Sequence, residues 1–164
     1  MQPLEPSPQP AHVRRPWWML LPPPMLFALP LAVSAQLRSL APLEMLPREY
    51  GLALGIGVLG LALFFIPTAP ILFAIHRTTI VPHGTARKLI ERGPYRVSRN
   101  PMYVGLVVVY LGVTLLLDSA WPLMFLPLPL WFTHAKTIPY EERVLEGVFG
   151  EEYREYARRV PRWI

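Results

Sequence analysis

The chain has 164 residues, of which 52% are hydrophobic and 16% charged, with a net charge of +5 and no cysteine. This charged fraction is below the roughly one quarter of average soluble domains, and without cysteine the chain has no disulfide, thiolate metal site or cysteine nucleophile. Apolar blocks of about 20 residues predict an integral membrane protein, whose basic residues meet anionic lipid headgroups rather than nucleic acid.

The N-terminal part divides into a polar tail and an apolar stretch. Residues 1–16 are rich in proline and predict a disordered tail. Residues 17–37 open on Trp17 and Trp18, a pair typical of membrane interfaces, and predict a first span that is kinked or broken at the prolines of 22–24. The alternative is a signal peptide cleaved after Ala35, which three consecutive prolines disfavour.

The next apolar block, residues 50–75, contains no charged residue and predicts a second span. Gly51 and Gly55 are four positions apart and indicate a thin helix face for close packing. Gly57 and Gly60 are interpreted as extending that face.

Two further apolar runs, residues 102–117 and 120–136, flank a polar turn at Asp118 and Ser119. Each run is short, so together they predict a tight hairpin that crosses the membrane and returns. Residues 140–159 carry apolar side chains at helical spacing and predict an amphipathic surface helix.

The lysines and arginines predict the orientation. Loop 76–100 carries six of them and the segment from Lys136 onward six more, against two in the 38–49 connection. The positive-inside rule then places both termini and the loop in the cytoplasm. The predicted fold is all-α, one domain over residues 17–164 with about four membrane spans.

Residues 92–105 read RGPYRVSRNPMYVG and combine two proline breaks with three arginines and Tyr95. Such a donor-rich loop at the mouth of a membrane helix favours an anionic or nucleotide-like ligand. The alternative is a basic loop that only anchors the protein to headgroups.

Two motifs carry a family resemblance. GPYRVSRNPMYVG, followed by EERVLEGVFGEEYREYARRVPRW, resembles the isoprenylcysteine carboxyl methyltransferase and phospholipid methyltransferase superfamily, over roughly residues 76–164. These are small integral membrane enzymes that use S-adenosylmethionine. The resemblance implies methyl transfer to a lipophilic acceptor, such as a lipid amine or carboxylate, at a pocket that faces the cytoplasm.

The resemblance also implies the site. Glu141 or Glu142 matches the glutamate that holds the cofactor's amino end, and these two with Asn100 are the candidate catalytic residues. Asn100 stands where the isoprenylcysteine branch has histidine, and asparagine cannot titrate near neutral pH. The residues that match cofactor contacts are Arg87, Lys88, Leu89, Ile90, Tyr95, Asn100, Pro101, Met102, Tyr103 and Glu141.

The functional glutamate is expected to be Glu141, with Arg92, Arg96 and Arg99 around it to favour the ionised form. Glu142 is expected to face solvent. The isoprenylcysteine branch also has an arginine near the position of Thr137 that fixes the acceptor carboxylate, and its absence here leaves the acceptor open.

Several alternatives remain at this level. The paired glutamates suit the first turn of any helix, no metal site is predicted at His76 and His83, and Arg158, Arg159 and Arg162 are expected to meet lipid phosphates. The rival functions are a membrane reductase of sterol-like or unsaturated lipids that uses NADPH, and a non-enzymatic membrane assembly protein. Oligomeric state is not predicted.

Overall fold

The computed structural model describes residues 16–66 and 89–164. Its α-helices are α1 (Pro23–Leu40), α2 (Arg48–Phe65), α3 (Pro101–Leu117), α4 (Trp121–Phe125), α5 (Pro127–Phe132), α6 (Ile138–Phe149) and α7 (Glu151–Arg159). Two 3-10 turns, Trp17–Leu20 and Gly93–Arg96, and a π-helical turn, Thr133–Thr137, complete the set. These ranges contain helices and no strand, which confirms the all-α class.

Across residues 16–66 and 89–164, no helix combines the length and the apolar character that crossing a bilayer requires. Residues 1–15 and 67–88, which include His76, His83, Arg87 and Lys88, lie outside the described residues.

The prolines at 22–24 mark a helix start. Pro22 is the N-cap of α1, and the two prolines after it occupy the first helical positions, where a missing N–H leaves no bond unmade. The interruption expected in residues 17–37 therefore lies between the first 3-10 turn and α1, and Pro30 is accommodated inside that helix.

Helices α2 and α3 pack closely because glycines face each other across the pair. A Cβ atom on Gly55 would lie 2.7 Å from a leucine side chain of α3, and one on Gly112 would lie 2.8 Å from Leu59 of α2. Gly57 and Gly60 have nothing within 4 Å of such an atom, so the expectation that they extend the packed face was wrong. Successive residues of an α-helix are rotated by about 100° around its axis, so Gly57 and Gly60 lie on a different face from Gly55.

The polar turn between α3 and α4 forms where the sequence placed it. Asp118 ends α3 with a φ of 44°, and its carboxylate accepts backbone N–H bonds of 3.0 Å from Met45 and from Leu46. These two bonds hold the pKa of Asp118 below its usual range. The turn is thereby tied to the connection between α1 and α2.

The chain keeps right-handed helical dihedral angles from Trp121 to Phe149, through Leu126, Thr133 and Ile138. The regular hydrogen bonding is interrupted because proline has no N–H to donate and because the π-helical turn is wider than an α turn. Gly150, with a φ of 55°, ends this run. The single surface helix expected over residues 140–159 is therefore two helices, α6 and α7.

One end of the molecule is a polar cap, made of the site loop (residues 89–100), α6, α7 and the C-terminal tail (residues 160–164). Its small core contains Tyr153, Tyr156 and Val160, all buried, with Leu89 and Leu145 packed against them. This core joins the site loop to the two C-terminal helices.

Candidate functional site

A cavity of about 510 Å³ opens between the polar cap, the start of α3 and the N-terminal 3-10 turn. This volume lies in the range of small-molecule sites, roughly 300–1,000 Å³. Most of its wall is apolar, with polar groups concentrated where the site loop meets α6. The cavity thus has the composition expected for a ligand with a large apolar part and a few charged groups.

The structure brings the described members of the predicted site to this one cavity. Its wall includes Leu89, Ile90, Tyr95, Asn100, Pro101, Met102, Tyr103, Glu141 and Glu142. Arg87 and Lys88 lie outside the described residues. What the cavity binds stays a prediction.

A side-chain hydrogen bond from α3 holds Glu141. The hydroxyl of Tyr103 donates a 2.8 Å hydrogen bond to Oε1 of Glu141. Within residues 16–66 and 89–164, no arginine, lysine or histidine forms an ion pair with this carboxylate. Burial raises the pKa of Glu141 to about 7, and the charge of Glu142 adds to this rise while the Tyr103 bond opposes it. The expectation that arginines surround Glu141 and favour its ionised form was wrong.

Glu142 takes the arginines instead. Its Oε1 lies 2.9 Å from Nη1 of Arg99, and its Oε2 lies 2.6 Å from Nη2 of Arg162. The Glu142 side chain is 15% exposed, so the expectation that it faces solvent was also wrong. The two neighbouring glutamates therefore differ in kind: one is compensated by two guanidinium groups and the other is not.

Asn100 lines the cavity but uses its amide to hold the C-terminal tail. Its Nδ2 donates to the backbone oxygen of Arg162 at 2.9 Å, and its own N–H donates to Oγ of Ser98 at 3.0 Å. This geometry gives the asparagine a structural task that the sequence did not indicate.

The arginines of the C-terminal helix and tail are engaged within the protein. Arg158 pairs with Glu151, and Arg159 pairs with Glu91. Arg158 and Arg159 nevertheless stay 65% and 63% exposed, so the expected contacts with lipid phosphates stay a prediction.

The N-terminal 3-10 turn forms the opposite wall of the cavity. Trp18 packs edge-on against Phe132 and Tyr140, with ring centroids 5.7 and 5.9 Å apart, and residues 18–24 line the cavity. The sequence marked Trp17 and Trp18 only as an interfacial pair. The position of Trp17 fits an outward-facing role, since it is 81% exposed, whereas Trp18 is half-buried and lines the cavity.

Comparison with known families decides the classification. The profile of the phospholipid methyltransferase family matches residues 50–152, from α2 to the start of α7. The chain belongs to the phospholipid methyltransferase family. This confirms the superfamily that the two motifs indicated, and the matched range contains Tyr103, Glu141 and Glu142.

Curated relatives are similar over a shorter stretch. A probable protein-S-isoprenylcysteine O-methyltransferase of Oryza sativa subsp. indica is 41% identical over 73 residues, which are 44% of this chain and 38% of that protein. Protein-S-isoprenylcysteine O-methyltransferase B of Arabidopsis thaliana is 36% identical over 74 residues, 45% of this chain and 38% of that protein. The chain thus spans less than two fifths of the length of these relatives. No solved structure matches the chain.

Proposed function

We propose that this phospholipid methyltransferase family member is an integral membrane enzyme that transfers a methyl group from S-adenosylmethionine to a lipophilic acceptor. Family membership and the relatives' names support methyl transfer. The observation that carries the proposal is Glu141, a carboxylate in the cavity wall that is held by Tyr103 and has no cationic partner in the described parts of the chain.

The residues present fit the cofactor. S-adenosylmethionine has an ammonium group at its amino acid end, and a charge-assisted hydrogen bond to a carboxylate is among the strongest polar contacts in proteins. Glu142 is already neutralised by Arg99 and Arg162, so Glu141 is the carboxylate available for that ammonium. The hydroxyl of Tyr103 fixes the orientation of the carboxylate, and Tyr95 offers an aromatic surface in the same wall.

Protonation of Glu141 controls this contact. With a pKa of about 7, the carboxyl is part protonated at neutral pH when no cation lies beside it. An adjacent ammonium favours the ionised form, so binding of the cation and release of the proton are linked. We therefore expect the affinity for the cofactor to fall as pH is lowered below neutral.

The protein's part in the reaction is to position the reactants. When bound, the cofactor supplies an electrophilic methyl group on its sulfonium sulfur. The apolar walls, among them Trp18 and Phe132, exclude water from the acceptor and hold its lipophilic part, and such positioning accounts for much of the rate of an in-line displacement. The acceptor is a lipid amine, a carboxylate or another lipid-like group.

The surface of the helices supports a membrane location. Large apolar side chains project outward from α2 and from the α4–α5 region, and contiguous exposed apolar surface marks a contact with lipid or another protein. They include Leu52, Leu54, Ile56, Leu61, Leu63, Met124, Leu128 and Trp131. We place the cavity at the cytoplasmic face, on the basis of the clustered lysines and arginines.

The proposal is tested on protein extracted from membranes with detergent, by calorimetric titration with S-adenosylmethionine and, separately, with NADPH. We expect S-adenosylmethionine to bind. Glu141→Gln keeps the shape and removes the charge, so affinity should fall about 10- to 100-fold, the scale of a charged hydrogen bond. Glu146→Gln is the matched control, since Glu146 is exposed and pairs with Arg154.

Three outcomes would contradict the proposal. NADPH binding without S-adenosylmethionine binding would favour the reductase. An unchanged affinity in Glu141→Gln would remove the role of that carboxylate, and recovery of the protein without detergent would contradict the membrane location.

A further inference from the structure

We propose that the C-terminal tail (residues 160–164) is a positioning element of the site, which acts through Arg162 on Glu142 and thereby on Glu141. The tail lies beyond residues 50–152, the range that the family profile matches. The inference rests on the proposed function only in taking Glu141 as the group that meets the cofactor.

Backbone contacts fix the tail against the site loop. The N–H of Arg99 donates to the oxygen of Pro161 at 2.9 Å. The oxygen of Arg162 accepts from Nδ2 of Asn100 at 2.9 Å and from Oγ of Ser98 at 3.3 Å. Three consecutive residues of the loop therefore hold two consecutive residues of the tail.

The side chain of Arg162 then reaches α6. Its Nε and Nη2 lie 3.1 and 2.6 Å from the two carboxylate oxygens of Glu142, a bidentate pair. Fork-to-fork pairs of this kind fix orientation as well as charge. Because Glu141 is the preceding residue on the same helical turn, fixing Glu142 also fixes the angle at which Glu141 meets Tyr103.

Arg162 also sets the charge around Glu141. Among the described residues, the titratable groups that act on this carboxylate are Tyr103 from α3, Tyr95 from the site loop and Glu142 from its own helix, and the charge of Glu142 raises the pKa of Glu141. The N-terminal wall contributes Trp18, which is uncharged. Arg99 and Arg162 compensate Glu142, so each of them limits the unfavourable field at Glu141.

Loss of Arg162 should therefore make Glu141 harder to ionise, and loss of the Glu142 charge should make it easier. The test is an infrared pH titration of the Glu141 carboxyl in detergent-solubilised protein without cofactor, with the band assigned by its absence in Glu141→Gln. We expect Arg162→Gln to move the titration up by roughly half a pH unit and Glu142→Gln to move it down. Arg158→Gln is the matched control, since Arg158 pairs with the exposed Glu151 and does not line the cavity.

The Glu141 titration is expected to move in opposite directions in the two variants, and this separates positioning from a merely structural role. Loss of a purely structural contact would lower the melting temperature in both variants without shifting the titration up in one and down in the other. An unmoved titration in Arg162→Gln, with reduced stability, would overturn the inference. If that variant does not fold, Arg162→Met replaces it, which keeps a long aliphatic side chain and removes the charge. An upward shift in Arg162→Met supports the inference, and no shift overturns it.

A second measurement keeps the two proposals apart. The affinity for S-adenosylmethionine is measured against pH in the same variants. The pH below which the affinity falls should shift in the same direction as the infrared titration. If the wild type does not bind the cofactor but the titrations shift as expected, the proposed function fails and the positioning role stands. If the wild type binds and the titrations do not move, only the positioning role fails.

Discussion

The α2–α3 pair and the polar cap are held together by different physical means. The helix pair is joined by shape: Gly55 and Gly112 let the backbones approach until leucine side chains fill the space that a Cβ would need. The cap is joined by polar contacts between distant segments, such as the bond from the Tyr156 hydroxyl to the oxygen of Tyr95 at 2.8 Å. The first region depends on volume, and the second depends on charge and hydrogen-bond geometry in addition to its small apolar core.

This difference identifies the part of the fold that is less stable than it could be. In the helix pair, the facing residues fit without a conflict. In the cap, ion pairs compensate Glu142, Glu146 and Glu151, whereas Glu141 is half-buried and has no cation paired with it in the described parts of the chain. A buried carboxylate with a raised pKa is typical of a functional site, and such sites often lower the stability of the fold.

The largest expected effect comes from removing the uncompensated charge of the cap, at Glu141, which tests whether this charge makes the cap less stable. The pKa of Glu141 rises from 4.5 to about 7 on folding, so the folded state binds the proton more tightly and loses stability as pH rises between those values. Above pH 7 the free energy of unfolding has lost its full contribution from this group, about 3 kcal/mol, because each unit of pKa difference between the folded and unfolded states corresponds to about 1.4 kcal/mol. Glu141→Gln should regain that amount at about pH 8 and nothing near pH 4, since the glutamine oxygen still accepts from Tyr103.

Unfolding of the detergent-solubilised protein by denaturant at the two pH values checks this gain. Glu146→Gln serves as the control and should change little at either pH, because surface ion pairs contribute about 0–1 kcal/mol. A Glu141→Gln protein that is no more stable than the wild type at the higher pH would show that the ionised carboxylate does not destabilise the fold.

The next effect breaks the packing of the helix pair. Gly112→Val places branched carbon atoms where a Cβ already lies 2.8 Å from the Leu59 side chain, so the free energy of unfolding should fall by about 2 kcal/mol. Gly57→Val is the matched control on an open face and should change it by less than about 0.5 kcal/mol. Denaturant unfolding measures both. Equal losses in the two variants would mean that helix propensity, rather than close packing, decides the result.

The smallest effect removes one polar contact from the cap. Tyr156→Phe deletes the bond to the oxygen of Tyr95 and should lower the free energy of unfolding by about 1 kcal/mol. Tyr50→Phe, at a residue that is 60% exposed, should have no effect. If the Tyr156 variant is as stable as the wild type, the cap is held by its apolar core rather than by this bond.

The sequence predicts those features that local chemistry determines. The all-α class follows from apolar runs without strand-like alternation, and the turn at Asp118 follows from two polar residues between such runs. The motifs also name the residues that meet at the cavity, because the family resemblance supplies what no local pattern could. The helix pair is predicted in part: Gly51 and Gly55 share a face, but the positions of Gly57 and Gly60 depend on their angle around the helix.

The states of the two glutamates could not be read from the sequence. They depend on Arg162, which lies 20 residues beyond Glu142 along the chain, and on Asn100, which lies 62 residues before the tail oxygen that it holds. Contacts of this kind leave no periodic or compositional signal. The three arginines of the site loop, Arg92, Arg96 and Arg99, suggested compensation of Glu141, yet in the fold Arg99 pairs with the neighbouring glutamate.

The π-helical turn Thr133–Thr137 lies directly before α6, the helix that carries Glu141. An α-helix advances by about 100° per residue, and a π turn closes its hydrogen bonds one residue later than an α turn. A residue deleted from this turn would be absorbed as the turn tightens to α geometry, whereas one deleted from a regular α-helical part of the run would rotate α6 by about 100° and carry Glu141 away from Tyr103. The π turn is therefore the place between Trp121 and Glu141 where the chain tolerates a change of length, and natural insertions or deletions in this run should fall there.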